Sequence, residues 1–311
     1  MSYTVAGFYK FVPLEDYREM HQPLLATCRK LEVTGTILLA DEGINGTVAG
    51  SRTNIEALIV HLQKNPRLAE FPVNISIATE NPFNRLKIRL KKEIIKMGVP
   101  GVKPSNKTGR HVTPEEWNSL VEDQQVLVLD ARNKYETAIG SFANAVDPRI
   151  KSFVEITNYV QEKLGEQKDR KIAMFCTGGI RCEKLSTYMM DQGFKEVYQL
   201  RGGILRYLQE MPEEKSLWNG ECFIFDHRVS LGHGLKEGSH TMCHGCGHPV
   251  SLKDRQANEY EMGVSCPMCA ETLGQVKRAN LRERQKQVEL ASRRNASHIG
   301  QTLNNAEEKS D

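Results

Sequence analysis

Apolar and polar positions change rhythm three times along the chain. From Tyr3 to about Ile95, an apolar run (Tyr3 to Val12) precedes a helical pattern (Leu14 to Leu31). Strand-like runs follow at Thr36 to Ala40 and Thr47 to Ala49, then a helix starting near Ser51 and two further strands. Ile55, Leu58, Ile59 and Leu62 are spaced to share one face of that helix. The two middle strands are joined through Asp41 to Gly46, where Asn45-Gly46 is a favoured tight-turn pair, so a hairpin is predicted. The order βαββαβ predicts a ferredoxin-like split βαβ domain of the acylphosphatase kind over residues 1–95.

Residues 96–112 are rich in Gly and Pro without periodicity and read as a linker. Over residues 113–215 strands (Val126 to Asp130, Lys171 to Phe175, Val197 to Leu200) alternate with helices (around Ser152 to Leu164, and Glu183 to Gln192). This alternation predicts a doubly wound parallel sheet with helices on both faces, and hence an α/β chain. Residues 216–280 lose the rhythm and gain cysteines, and 281–311 form a polar tail expected to fray.

With 311 residues and 39% apolar content the chain can bury full cores in two or three domains. No stretch approaches the roughly 18 to 20 apolar residues that span a bilayer, and the amino terminus lacks a basic start followed by an apolar run. A cytoplasmic location with no membrane contact is expected, and no feature calls for an obligate protein partner. Four of the eight cysteines form two Cys-x-x-Cys pairs, which in a reducing compartment suggests metal and thiol chemistry rather than disulfides. Cys28 and Cys222 read as core residues.

The strand Lys171 to Phe175 ends at Cys176 and passes through Gly178 and Gly179 into a helix expected near Cys182. Cys176 is thereby placed at a carboxyl strand end, where crevices form in open α/β sheets. The following helix N-terminus aims N–H groups at the loop and stabilises a thiolate. Arg181 adds positive charge, and Thr177, Gly178, Gly179 and Ile180 form the pocket wall. Asp130 closes its strand at the same edge and can pair with Arg132 to shape the pocket. Cys182 is either a resolving thiol or a packed first-turn residue. The plain alternative for Cys176 itself is a buried core cysteine beside a glycine turn.

Cys176-Thr177-Gly178-Gly179-Ile180-Arg181, with Asp130-Ala131-Arg132 and Tyr135-Glu136 upstream and Leu200-Arg201-Gly202-Gly203 downstream, resembles the rhodanese family over roughly residues 115 to 212. Phosphatases with a similar cradle place five or more residues between cysteine and arginine, whereas four stand here, which disfavours a phosphoester substrate. Within rhodanese-like proteins the wording Cys176 to Lys184 is similar to the bacterial tRNA uridine hydroxylases. Gly35 to Thr47, Lys96 to Pro100 and Trp218 to Asp226 agree with it as well, so the likeness spans about residues 3 to 275. The resemblance implies oxygen-dependent hydroxylation of wobble uridine 34 to 5-hydroxyuridine. It implies molecular oxygen as co-substrate, a required Cys176, and no flavin or iron; no flavin or nicotinamide site is seen in the sequence.

From Arg85 to Arg110 there are nine Lys or Arg and one acid, Glu93. As a strand, Asn84 to Lys91 turns Leu86, Ile88 and Leu90 inward and Arg85, Lys87, Arg89 and Lys91 outward. With Lys92, these cations suit phosphates of a tRNA anticodon stem-loop, positioning it rather than reading it. Alternatively they are the lysines that protect an edge strand. A second basic cluster, Lys277 to Arg294, is either a further phosphate contact or a charged helix. Cys243-His244-Gly245-Cys246 and Cys266-Pro267-Met268-Cys269, 19 residues apart, have the spacing of a structural zinc site, with redox dithiols as the competing reading. His240, His244 or His248 can stand in for one thiolate.

Three functions therefore remain open: a tRNA hydroxylase using Cys176, a rhodanese-type sulfurtransferase with a Cys176 persulfide, and a non-catalytic RNA-binding or regulatory module.

Overall fold

A computed structural model describes residues 2–294. The chain divides into two compact units, Met1–His240 and Thr241–Asp311.

The first unit opens with β1 (Tyr3–Phe11), α1 (Tyr17–Lys30), β2 (Thr34–Ala40), β3 (Gly43–Gly50), α2 (Arg52–Gln63), β4 (Val73–Ala78) and β5 (Leu86–Leu90). The sheet order β4-β1-β3-β2-β5 is the ferredoxin-like arrangement with one strand added, β5 running parallel to β2 at the edge. Ser51 caps α2 by accepting from the Asn54 N–H, and Ile55, Leu58 and Leu62 are buried against the sheet. The hairpin forms, but Asp41-Glu42 make its turn, and Asn45-Gly46 lie inside β3 opposite Leu38 and Ile37. Tertiary contacts override the local turn preference here. A Cβ on Gly46 would lie 2.7 Å from the Phe8 ring, and the Asn45 amide donates to Ile94 O at 2.9 Å. Of the residues predicted to point inward on β5, Ile88 is buried, Leu86 half-buried and Leu90 38% exposed, as befits the last residue of an edge strand.

The segment 96–112 is anchored rather than free. The Glu93 carboxylate accepts from the Met97 and Gly98 N–H groups, and Met97 packs into the next core. The segment ends in a strand, β6 (Arg110–Val112), too short for its alternation to register in sequence. Then come α3 (Pro114–Glu122), β7 (Leu127–Asp130), α4 (Lys134–Thr137), β8 (Gly140–Phe142), α5 (Ile156–Tyr159), β9 (Ile172–Phe175), α6 (Ile180–Asp191), β10 (Val197–Leu200) and α7 (Gly203–Glu210). The sheet is parallel in the order β6-β10-β9-β7. Residues of α5 and α6 fill one core, and Trp117, Val121, Ile204 and Tyr207 from α3 and α7 fill the other, so both faces are covered.

Residues 216–240 belong to this unit and not to a separate cysteine-rich block. β11 (Trp218–Gly220) pairs with β8, and Trp218, 5% exposed, packs edge-on against Phe142. β12 (Cys222–Phe223) pairs with β13 (Ser230–Leu231).

The second unit holds β14 (Thr241–Met242), its partner β15 (Pro249–Val250), and α8 (Gln275–Arg293). The tail expected to fray from 281 is helical to Arg293, with Glu261 bridging to Arg278 and Arg282. Residues 295–311 of that tail lie outside the described residues. No described helix is long and apolar enough to cross a membrane.

Candidate active site

The continuously buried strand β9 delivers Cys176 to the carboxyl edge of the parallel sheet, and α6 begins at Ile180, two residues earlier than its sequence suggests. Gly179 makes the turn at φ 99°, a conformation that glycine adopts without strain. Its N–H donates to Cys176 Sγ at 3.2 Å, and the Arg181 and Cys182 N–H groups also point to that sulfur. Cys176 is fully buried. Burial alone raises its pKa, but the Cys182 S–H, the Arg181 charge and these N–H groups outweigh it and bring the thiol down to about 6. Cys182 moves the other way, held high by burial and by donating to Cys176.

The Leu200–Gly203 turn clamps the loop. Ile204 N donates to Cys176 O at 3.0 Å and Leu205 N to Thr177 O at 3.1 Å. Gly203 must be glycine, because a Cβ there would lie 2.5 Å from Cys176 O.

Arg181 does not project freely into the pocket. Its guanidinium grips Glu136 at 2.6 and 2.8 Å and touches Thr177 Oγ1 at 3.2 Å. Glu136 is itself fully buried. Burial pushes its pKa up, yet the Arg181 charge and hydrogen bonds hold it below the usual carboxylate range. Asp130 and Arg132 form a second buried pair at 2.6 and 2.9 Å, with Arg132 lying over the Phe175 and Trp218 rings. This pair underlies the loop from within the core and does not line the pocket. Thr177, Gly178 and Ile180 are half-buried and are the reachable part of the loop.

The ferredoxin-like sheet completes the site. Tyr9 on β1 lies against Gly179, whose Cβ would approach Tyr9 Oη to 2.8 Å, and donates to Glu183 Oε1 at 3.1 Å. Glu183 on α6 also accepts from Thr108 at 2.8 Å, Gln199 at 3.2 Å and the His111 ring at 2.9 Å. Although burial raises its pKa, His111 and these donors keep it ionised. Lys184, 2% exposed, bridges Glu42 of the hairpin and Glu93 at 2.8 and 2.6 Å. A cleft of about 590 Å³ opens beside the loop, with Tyr9, Asn74, His111, Glu183, Arg201 and Arg206 in its wall.

Of the cations predicted on β5, Arg85, Arg89, Lys91 and Lys92 are exposed and Lys87 is half-buried. None of the five makes an ion pair among the described residues. In the second unit the sulfurs of Cys243, Cys246, Cys266 and Cys269 lie within 4.8 Å of one another, with separations of 3.6, 3.8 and 3.9 Å along three edges. A tetrahedron with metal–sulfur bonds near 2.3 Å requires roughly 3.8 Å between sulfurs, so the four thiols fit such an ion. His240 is occupied elsewhere, its ring 2.6 Å from Glu221.

Residues 3–94 match the UPF0176 acylphosphatase like domain and residues 113–210 the rhodanese-like domain. A tRNA uridine(34) hydroxylase of Teredinibacter turnerae is 52% identical over 96% of this chain and 93% of its own length. The chain belongs to the tRNA uridine(34) hydroxylase family. A second hydroxylase of this name, from Acaryochloris marina, is 49% identical over 96% of both chains. A solved rhodanese-like domain protein of Staphylococcus aureus is 26% identical over 32% of this chain and 90% of its own, with a TM-score of 0.27. In this hydroxylase-family chain the N-terminal domain is therefore acylphosphatase-like and the central one rhodanese-like, followed by a cysteine cluster compatible with a metal.

Sequence reasoning about this family member missed Tyr9, Glu183, His111 and the Lys184 bridge, and it gave Glu136 no role. Only Glu136 carries a local signal: it stands three residues after Asn133 and accepts from that residue's N–H at 3.1 Å, as in a capping box.

Proposed function

We propose that this protein hydroxylates C5 of wobble uridine 34 in tRNA, with Cys176 as its nucleophile. The observation that carries the reading is a thiol brought down to about 6, with the Cys182 S–H beside it, on a loop that Tyr9 of the acylphosphatase-like sheet lies against, in a chain half identical to proteins named for this reaction. A thiolate at pH 7 can add to the electron-poor C6 of uracil, which moves the C5–C6 π electrons toward C5 and O4. C5 then bonds to molecular oxygen. Two electrons and two protons from an external donor cleave the O–O bond, leaving a C5 hydroxyl and releasing water. Loss of the C5 proton and departure of the Cys176 thiolate restore the ring. Each turnover thus consumes one uridine, one O₂ and one two-electron donor, which makes the enzyme an oxidoreductase.

Cys176 supplies the attacking sulfur. The N–H groups of Gly179, Arg181 and Cys182 stabilise the thiolate before attack and after release, and Glu136 fixes Arg181 so that its charge stays beside the sulfur. Arg85, Lys87, Arg89, Lys91 and Lys92 supply cations for the anticodon stem-loop. Cys243, Cys246, Cys266 and Cys269 would hold a structural zinc, which ties two turns together.

Nucleoside analysis of tRNA from cells lacking the gene, complemented with wild type or Cys176→Ala, tests the reading. Loss of 5-hydroxyuridine restored only by wild type is expected. Unchanged hydroxyuridine with reduced thiouridine would replace it with sulfur transfer, and rescue by the alanine variant would leave a binding role.

A further inference from the structure

The two faces of the ferredoxin-like sheet have different fates. Phe8, Ile37, Leu39, Val48 and Ile88 belong to the core beneath α1 and α2. The opposite face follows from strand register, because directly paired residues share a face. Asn74 of β4 pairs with Gly7, Gly7 with Thr47, Thr47 with Thr36, and Thr36 with Lys87, a row across all five strands. Tyr9, Asn45, Leu38 and Arg89 form a parallel row.

The cations of β5 therefore share a face with the two residues that meet the cysteine loop. Tyr9 sits against Gly179, and the Asn74 amide is 3.5 Å from Gly202 O. Between these ends the Asn74 row is open, with Thr47 exposed and Thr36 and Lys87 half-buried, while in the Tyr9 row Asn45 is engaged by Ile94 O and Arg89 is exposed. The five strands contain no Asp or Glu, so nothing in them repels a phosphate. At a strand spacing of about 4.8 Å, four intervals put Lys87 roughly 19 Å from Asn74. At the Asn74 end a crevice of about 90 Å³ has Gly7, Thr47 and Asn74 on the sheet side and Thr177 and Leu205 opposite.

We propose that this open face is the track on which a single-stranded stretch of RNA lies, its phosphates on Lys87 and Arg89 and one unstacked base turned into the crevice beside Asn74 and Thr177. The inference rests on the tRNA reading above and deepens it by naming the surface. Unpaired loops expose bases that a duplex hides, and a flat strand face of small polar side chains admits them. Phosphates gain from the cations through counterion release. The Asn74 carboxamide offers one acceptor and donors, the complement of the imide edge of uracil.

Charge placed in mid-track tests the proposal. Thr36→Glu/Thr47→Glu adds two carboxylates between the crevice and the β5 cations, one beside Lys87 and one at the crevice wall, and replaces no residue of the cysteine loop or of β5. With the full-length protein and an anticodon stem-loop oligonucleotide carrying uridine 34, fluorescence anisotropy should show Kd rising at least about tenfold. Thr47→Lys should tighten binding about twofold, a gain that misfolding cannot mimic. Arg52→Glu, exposed at the start of α2, should leave Kd within about twofold. Wild-type affinity in the double variant, or no gain from Thr47→Lys, overturns the track. A wild type that binds the oligonucleotide through this face yet makes no 5-hydroxyuridine in cells overturns the hydroxylase reading instead, so the two failures are distinguishable.

Discussion

The Cys176 loop and the four-cysteine cluster both hang thiols on tight turns with N–H groups aimed at sulfur, yet they solve opposite problems. In the loop a single sulfur is enclosed by a finished core, and the protein itself supplies its compensation: the Cys182 S–H, the Arg181 charge and three N–H groups. In the cluster four sulfurs crowd within 4.8 Å, and the surrounding core amounts to Val250 and a partly buried Tyr260. Four thiolates so close would repel one another, and a bound cation would compensate them and tie the fold to the metal. On the function proposed above, reactivity belongs to the thiolate that the protein itself satisfies, and structural work to the thiolates that a metal would satisfy.

The largest effect should come from breaking the cluster. Cys266→Ala, or a strong zinc chelator, removes a share of an apparent metal-binding free energy of about 10 kcal/mol or more. Hydrogen exchange should then show amide protection lost across 241–274 while 113–210 stays protected. Retained protection would make the four cysteines mere packing. Next in size, Arg181→Met strands the buried Glu136 carboxylate at a cost of about 3–5 kcal/mol, read from the denaturant midpoint of the first unit. A change below about 1 kcal/mol would mean the pair is not holding the loop.

The third test is pH dependence. The difference in thiolate absorbance between wild type and Cys176→Ala should titrate with a midpoint near pH 6 and shift upward in Arg181→Met. The folded thiol lies below its unfolded value of about 8.5, so its contribution to stability is complete above that value. It is lost as pH falls through about 6, and hydroxylation should fall with it. Cys28 and Cys222, pushed by burial to about 11 and 12, should contribute nothing to the absorbance in this range. The smallest effect is expected from Tyr9→Phe, which removes one of four donors to Glu183 and should lower stability by about 1 kcal/mol. A loss above about 3 kcal/mol would show that the sheet, as much as Arg181, sustains the loop.

Much of this could be read from the chain. Apolar runs located β1 and β9, strand–helix alternation located β10 and helical spacing located α2, because burial leaves a local apolar pattern, and the run into Cys176 followed by glycines marked the loop. The cluster spacing was equally legible, since two Cys-x-x-Cys turns carry their geometry locally. Three short features escaped: β6 has only three residues, the Asn45-Gly46 pair sits in a strand, and 216–240 joins the rhodanese-like unit through Trp218.

The sequence by itself determined which sulfur stands alone at a strand end, which four gather, and that the outward residues of β5 are cationic. Only the tertiary structure decided that Glu136 grips Arg181 from 45 residues away, that Tyr9 reaches Glu183 across 174, and that Lys87 and Arg89 share a face with Tyr9 and Asn74. Local patterns record burial and turn chemistry, which repeat over a few residues. Ion pairs and strand register are set by which surfaces pack together, and no short stretch of chain carries that information.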